Sequence, residues 1–177
     1  PFWIGKYPVT EGEWREVVGR PASGGDPNHP VVNVTWNQVH DFLEKLNASS
    51  GAGYRLPTEA EWEFACRAGM EGDFGFEGGL SKLDDHAWYV ENSDDRTHRV
   101  GLKAPNAWGI YDRHGNVCEW TQDIRPLIDE QGHRVAEAVT KGGSYDGHYG
   151  YCRVASFVAF KTHGRYANIG FRLARSA

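Results

Sequence analysis

Residues 141–172 read KGGSYDGHYGYCRVASFVAFKTHGRYANIGFR, opening on Gly142-Gly143-Ser144 and closing on Gly170-Phe171-Arg172. Between those ends lie Tyr145, Asp146, His148, Tyr149, Tyr151, Phe157, Phe160, His163, Tyr166 and Asn168. No helical or strand period organises these side chains. Their mixture of Tyr, His, Asp, Gly and Phe is that of a contact surface. Aromatics with few torsions give area at low entropic cost, and small polar residues give adaptable hydrogen bonds. One such aromatic would read as a loop residue packing on its own domain; the whole run reads as recognition. From Gly142 to Ala177 there is no Glu, Gln, Met or Trp, and Lys161 is the one Lys. The types filling the positions between the glycine motifs are those reachable from an Asn codon by changing its two adenines.

Upstream, the chain starts helices in one repeated way. Thr10 with Glu13, Thr35 with Gln38 and Thr58 with Glu61 are three capping boxes, each placing a hydroxyl and an N3 carboxylate or amide at a helix start. They predict helices from Glu11 to the stop at Gly19, from Trp36 to Leu46, and from Glu59 to Ala68 with Gly69 as the stop. The second would bury Val39, Phe42, Leu43 and Leu46, and the third Trp62, Ala65 and Cys66 with Phe64 beside them. Short strands are expected at Phe2–Tyr7, Val31–Val34, Ala87–Tyr89, Arg99–Gly101, Gly115–Thr121 and Ile169–Ala174. Residues 20–30, 70–86 and 122–138 read as loops. The helix bodies differ, so they make no repeat.

The 177 residues fit one domain, 1–177, and 40% hydrophobic content is enough for a core. A net charge of −5 argues against a general binder of nucleic acid or anionic membranes. No apolar run approaches the roughly 20 residues of a membrane span, so membrane insertion is not expected. The chain opens abruptly on Pro1-Phe2-Trp3, where trimming would hide a signal peptide. Cys66, Cys118 and Cys152 are odd in number and widely spaced, which reads as reduced, buried thiols.

Five motifs in order carry a resemblance: Pro8-Val9-Thr10 before a helix, Arg55-Leu56-Pro57-Thr58-Glu59-Ala60-Glu61-Trp62-Glu63, Gly115-Asn116-Val117-Cys118-Glu119-Trp120, Gly142-Gly143-Ser144 and Gly170-Phe171-Arg172. From Phe2 to Leu173 the chain resembles the formylglycine-generating enzyme, or sulfatase-modifying-factor, family. That resemblance implies an α+β, C-type-lectin-like fold, loop-rich, with short helices on twisted antiparallel strands. Catalytic members hold copper with two Cys five residues apart after Gly-Gly-Ser; the second position matches Cys152 and the first matches Gly147. Soft Cu(I) wants thiolates, and one cannot make a two-coordinate site, so copper oxidase chemistry is not expected. The related iron-dependent sulfoxide synthases take their His ligands from an added helical domain that this sequence does not contain.

Among non-catalytic relatives, the chain most resembles the variable proteins of diversity-generating retroelements. There, adenine-directed mutagenesis changes chosen positions between Gly-Gly-Ser and Gly-Phe-Arg. The resemblance implies a variable ligand-binding segment over 142–172, framed by Gly142-Gly143-Ser144, Cys152-Arg153-Val154-Ala155 and Ile169–Arg172. Its variable, ligand-binding set would be Tyr145, Asp146, His148, Tyr149, Tyr151, Phe157, Ala159, Phe160, Thr162, His163, Tyr166 and Ala167. The partner would be a protein or a glycan on another cell or particle surface, and the chain would be surface-displayed or virion-associated. No cofactor is required, though the family's structural Ca²⁺ would map onto Asn116 and Glu119. The alternative is a metal-dependent oxidase or sulfoxide-synthase-like enzyme of the same family. Asp123, Arg153 and Arg172 are candidates for a buried ion-pair network, and Trp62 and Trp120 for the core.

Overall fold

The computed structural model describes residues 1–23, 25–128 and 134–177. All three capping boxes form. Thr10, Thr35 and Thr58 each accept from the N3 backbone N–H, and Glu13, Gln38 and Glu61 each reach back to the cap N–H. They start helices α1 (Glu11–Val18), α2 (Trp36–Ser50) and α3 (Glu59–Arg67). The second runs one turn further than its apolar stripe, to a left-handed cap at Gly51. The third ends on Ala68 at φ 47°, one residue before the expected Gly69. A fourth, single-turn helix, α4 (Leu83–His86), lies in the stretch 70–86 that reads as loop.

Nine strands make three sheets among the described residues. The chain ends meet in the first: β1 (Phe2–Ile4) and β2 (Tyr54–Arg55) flank β9 (Ala174–Ser176), both antiparallel to it. Strands β3 (Ala87–Trp88) and β4 (His114–Gly115) form a parallel pair. The main sheet has the order β7 (Phe157–Lys161), β6 (Arg134–Lys141), β5 (Cys118–Ile128), β8 (Ile169–Phe171), with β5 and β8 parallel. Helices α1 and α2 cover this sheet. Trp14 stacks on Phe42 at 5.3 Å, Phe42 meets Phe171 edge-on at 5.3 Å, and Trp120 lies fully buried beside them. Trp62 is buried in a second cluster with Cys66 and Val154.

Several expectations are corrected. Residues 31–34 form no strand ladder: Val31 and Val34 are core, but the backbone bonds singly, Val31 N–H to Val9 and Asn33 N–H to Tyr166. Arg99–Gly101 is a turn, not a strand. The expected loop 122–138 is mostly the two long arms of β5 and β6, joined in register from Glu119↔Lys141 to Ile128↔Arg134 across an irregularity between Trp120 and Ile124. Residues 129–133 of that loop, and Gly24 of the loop 20–30, lie outside the described residues. Phe64 is 59% exposed, not packed beside Trp62. Asp123, Arg153 and Arg172 do not meet: Asp123 accepts from the Glu59 N–H at the start of α3, and Arg153 makes an exposed pair with Asp73. Arg172 pairs with Glu119 in the interior.

Candidate ligand-binding surface

The segment 142–172 leaves β6, contributes β7 to one edge of the main sheet, and ends as the buried β8 at the other edge, paired with β5. Its first bend needs glycine. Gly143 has φ 72°, and a Cβ there would stand 3.0 Å from the N and Sγ of Cys152. Gly170, inside β8, needs glycine for another reason, since a Cβ there would come within 2.6 Å of the Val31 carbonyl. Beyond that point Glu119 and Arg172 form a buried pair, Arg172 Nη2 to Oε1 at 2.7 Å and Nε to Oε2 at 3.0 Å. Trp62 donates its indole N–H to the same Oε2 at 2.6 Å. Arg172 also donates to the carbonyls of Gly5 and Tyr111, so one side chain ties the segment's end to the N-terminus.

Side chains of the segment itself are fixed from beneath. The Ser144 hydroxyl, 4% exposed, donates to Asp146 Oδ1 at 2.6 Å. The Asn168 amide donates to both Asp146 oxygens, at 3.0 and 3.1 Å. Nδ1 of His148 accepts the Gly150 N–H at 3.2 Å, starting a 3₁₀ turn over Tyr149–Cys152, and its ring lies 3.9 Å from that of Tyr149. Below the turn, Nδ1–H of His114 donates to the Cys152 carbonyl at 2.6 Å. Burial, with Arg113 alongside, pushes His114 down to about 3, so it stays neutral.

All twelve candidate ligand-binding residues reach solvent. Asp146, His148, Tyr151, Phe157, His163 and Ala167 are exposed; Tyr145, Tyr149, Ala159, Phe160, Thr162 and Tyr166 are half-buried. Gly142, Gly143, Ser144, Cys152, Val154 and Ile169–Arg172 are buried between them. Two frame positions differ from expectation: Arg153 and Ala155 are exposed, as residues of a turn running over the surface. His148, Tyr151 and Phe157 line one groove of about 560 Å³. Asp146, Tyr151 and Phe160 line a smaller pocket of about 240 Å³ with Cys118, Ser144, Gly147, Val158 and Asn168. Tyr149 lines a third groove with Met70, Phe74, Phe76 and Leu80 of the Gly-rich loop. Tyr145, Ala159, Thr162, His163, Tyr166 and Ala167 line none of these three. Phe160 and Tyr166 serve the scaffold as well, 4.7 Å apart and each edge-on to Trp120.

Sequence reasoning missed the loop 70–80 as a wall of this face. The signal was four large apolar residues, Met70, Phe74, Phe76 and Leu80, in a Gly-rich stretch; Phe74 and Phe76 are buried, while Leu80 is exposed. It also missed Arg125, whose guanidinium lies 3.8 Å over the Phe157 ring from the neighbouring hairpin.

Metal chemistry finds little purchase among these groups. Gly147 offers no sulfur, and the Cys152 side chain is fully buried with its thiol pushed up by desolvation, so the residues present do not fit a bis-thiolate copper. Burial likewise holds Cys118 up at about 12 and Cys66 at about 11. Asn116 and Glu119, to which the resemblance assigns Ca²⁺, are spent inside the fold. The Asn116 side chain clamps the His98 backbone through Oδ1 and Nδ2, and both Glu119 oxygens face N–H donors. Arg172 already neutralises the carboxylate that Ca²⁺ would need. No three His, Cys, Asp or Glu side chains converge on a metal position among the described residues.

The short helices, the mixed sheet and the long segment from β6 to β8 define an α+β domain of the C-type-lectin-like class. The chain belongs to the sulfatase-modifying factor enzyme 1-like family, whose model matches residues 1–177. Formylglycine-generating enzyme of Streptomyces coelicolor is 35% identical over 202 residues, covering 100% of this chain and 62% of that protein. The chain spans between half and two thirds of the length of the formylglycine-generating enzymes it matches. Among solved structures, variable protein 1 of Treponema denticola superposes with a TM-score of 0.88 at 29% identity, covering 99% of this chain and 84% of that one. PvdO from Pseudomonas aeruginosa follows with a TM-score of 0.84 at 29% identity, over 100% and 81% of the two chains.

Proposed function

We propose that this is a non-catalytic ligand-binding domain whose surface over 142–172 is diversified, as in the variable proteins of diversity-generating retroelements. The observation that carries the reading is the sorting of that segment. All twelve candidate positions are accessible, while the glycine motifs, Cys152 and Val154 between them are buried. Side chains on such a face can change while the frame keeps its packing. The ligand is a protein or a glycan on another cell or particle, met by a surface-displayed or virion-borne copy of this domain. No cofactor is needed for that role. The deciding observation is the DNA beside the gene. A near-copy of the codons for 142–172, differing mainly at adenines and accompanied by a reverse transcriptase, is expected; its absence from the source genome would overturn the reading.

The 35% identity to a formylglycine-generating enzyme favours a second reading, a metal-dependent oxidase or sulfoxide-synthase-like enzyme. It predicts Cu(I) retained against a strong chelator and oxygen consumed with a thiol substrate. The first reading predicts neither, because Gly147 stands where the first thiolate would be.

A further inference from the structure

Asp146 sits at the rim of the smaller pocket, and its carboxylate is aimed before any ligand arrives. Ser144 from the buried frame and Asn168 from the end of the segment hold it through three contacts from two donor atoms, the Ser144 hydroxyl and the Asn168 amide nitrogen. Oδ1 takes two of these and Oδ2 takes one, so Oδ2 keeps an acceptor site open on a residue that lines the pocket. No Lys, Arg or His among the described residues comes within ion-pair distance of it. The walls beside it are the rings of Tyr151 and Phe160 and the aliphatic Val158. The pocket floor carries the Cys118 sulfur as a neutral thiol, so the single formal charge facing the space is that of Asp146.

We propose that this pocket receives a cationic side chain, a Lys or Arg of a protein ligand, with its aliphatic stem against Tyr151, Phe160 and Val158 and its charged head on Asp146. The inference rests on the ligand-binding reading above and chooses a protein with a protruding basic residue over a glycan. A pre-oriented carboxylate loses no torsional freedom on pairing, and a charge-assisted hydrogen bond is about twice as strong as a neutral one. Aromatic faces beside the carboxylate add attraction for a cation that they do not offer a neutral group. The volume of about 240 Å³ admits one extended side chain and not a peptide backbone. Asp146 and the two rings belong to the proposed diversified set, Ser144 belongs to the frame and Asn168 to neither, so a different residue at 146 would change the chemistry of the pocket while Ser144 stays in place.

The test uses the whole 177-residue chain and three probes: N-acetyl-lysine methylamide, N-acetyl-arginine methylamide and N-acetyl-norleucine methylamide, the last having the lysine stem without the ammonium. Amide shifts of isotope-labelled protein are followed during titration. A saturable response at Asp146, Gly147 and Asn168 is expected with the lysine or the arginine probe, at least about tenfold tighter than with norleucine, and weakened by salt. In Asp146→Asn the advantage of the charged probe is expected to vanish at an unchanged melting temperature. Equal affinity for the charged and neutral probes, a response centred elsewhere, no saturable response, or tight binding of a neutral monosaccharide in this pocket would each overturn the proposal. The probe comparison needs only the unmutated protein, so a variant that folds poorly leaves it decisive. The gene-neighbourhood observation tests the broader reading separately: a diversified segment whose pocket ignores cations would sink this proposal alone.

Discussion

Replacing Glu119 by Gln tests how the variable segment is anchored. The carboxylate is fully buried, and so is Arg172, whose side chain is 1% exposed. Both oxygens are held, by Arg172 Nη2 at 2.7 Å, Arg172 Nε at 3.0 Å and Trp62 Nε1 at 2.6 Å. Gln keeps the shape but removes the charge, and turns one of those oxygens into an NH₂ that faces a donor. Arg172 is then left with neutral partners only, the carbonyls of Gly5, Tyr111 and Asp112 and the one amide oxygen that Gln keeps, for a guanidinium that cannot deprotonate. Breaking a buried pair from one side costs about 3–5 kcal/mol. At about 2–4 °C per kcal/mol for a domain of this size, the melting temperature should fall by about 6–20 °C. Thermal and urea melts at neutral pH measure it, with Asp85→Asn as the control. The Lys82–Asp85 pair, with both side chains more than 60% exposed, should be worth less than about 1 kcal/mol. The double variant Glu119→Leu, Arg172→Met should recover part of the loss, since apolar isosteres of a buried pair are often neutral. Recovery cannot be complete, because the Gly5 and Tyr111 carbonyls lose their donor. A Glu119→Gln variant that melts with its Asp85→Asn control would refute the claim that this pair locks β8, and the segment it ends, into the sheet.

Three further outcomes follow from the same geometry. Changing His148, Tyr151, Phe157 and His163 together to Ser should cost little, each exposed change staying within about 0.5 kcal/mol, whereas Phe160→Ala alone should cost more because its ring packs on Trp120 and Tyr166; matched urea melts would expose an error if the order were reversed. His114, held down at about 3 against about 6.5 in an unfolded chain, gives stability that is whole above pH 6.5 and is lost as pH falls towards 3, because the unfolded chain takes up the proton first. Its ring resonances should therefore stay flat from about pH 8 to about 5, and a titration centred near the ordinary value would contradict the burial argument. Millimolar Ca²⁺ should leave the melting temperature where a chelator leaves it, since Glu119 is neutralised and Asn116 is engaged with His98; a rise of several degrees would return both residues to a ligand set.

What the sequence revealed about the fold was local. Each Thr-x-x-Glu or Thr-x-x-Gln start is decided within four residues, and all three helices begin where those residues place them. The long hairpin escaped notice because β5 breaks strand grammar, with Pro126 inside it, an irregularity after Trp120, and exposed Ile124 and Ile128 on its outer part. The opposite error came at Val31–Val34, which has strand composition but is buried as irregular chain, its N–H groups shared out to Val9 and Tyr166. The anchor of the site was illegible for a related reason. Glu119 and Arg172 are 53 residues apart, and nothing at either position announces the other. Asp123 and Arg153, closer to hand as charge partners, turned out to serve a helix start and a surface pair.

This division between what is local and what is not bears on how far the face can vary. An exposed residue such as Tyr151, at 52% exposure, can be exchanged at little cost to the fold because its backbone is held independently of its ring: its N–H donates to the His148 carbonyl, and the next carbonyl, that of Cys152, is fixed from below by His114. Phe160 and Tyr166 are accessible on one side and packed on Trp120 on the other, so a small or charged residue there would remove core contacts as well as ligand contacts. Diversification should therefore be lopsided. A set of natural or library variants that remain folded should range freely at 146, 148, 151, 157 and 163, and stay largely aromatic or bulky apolar at 160 and 166. Selecting a randomised 142–172 library for folding alone, with no ligand present, and sequencing the survivors would read this directly. Equal freedom at all twelve positions would mean that the Trp120 contacts carry little of the stability assigned to them here.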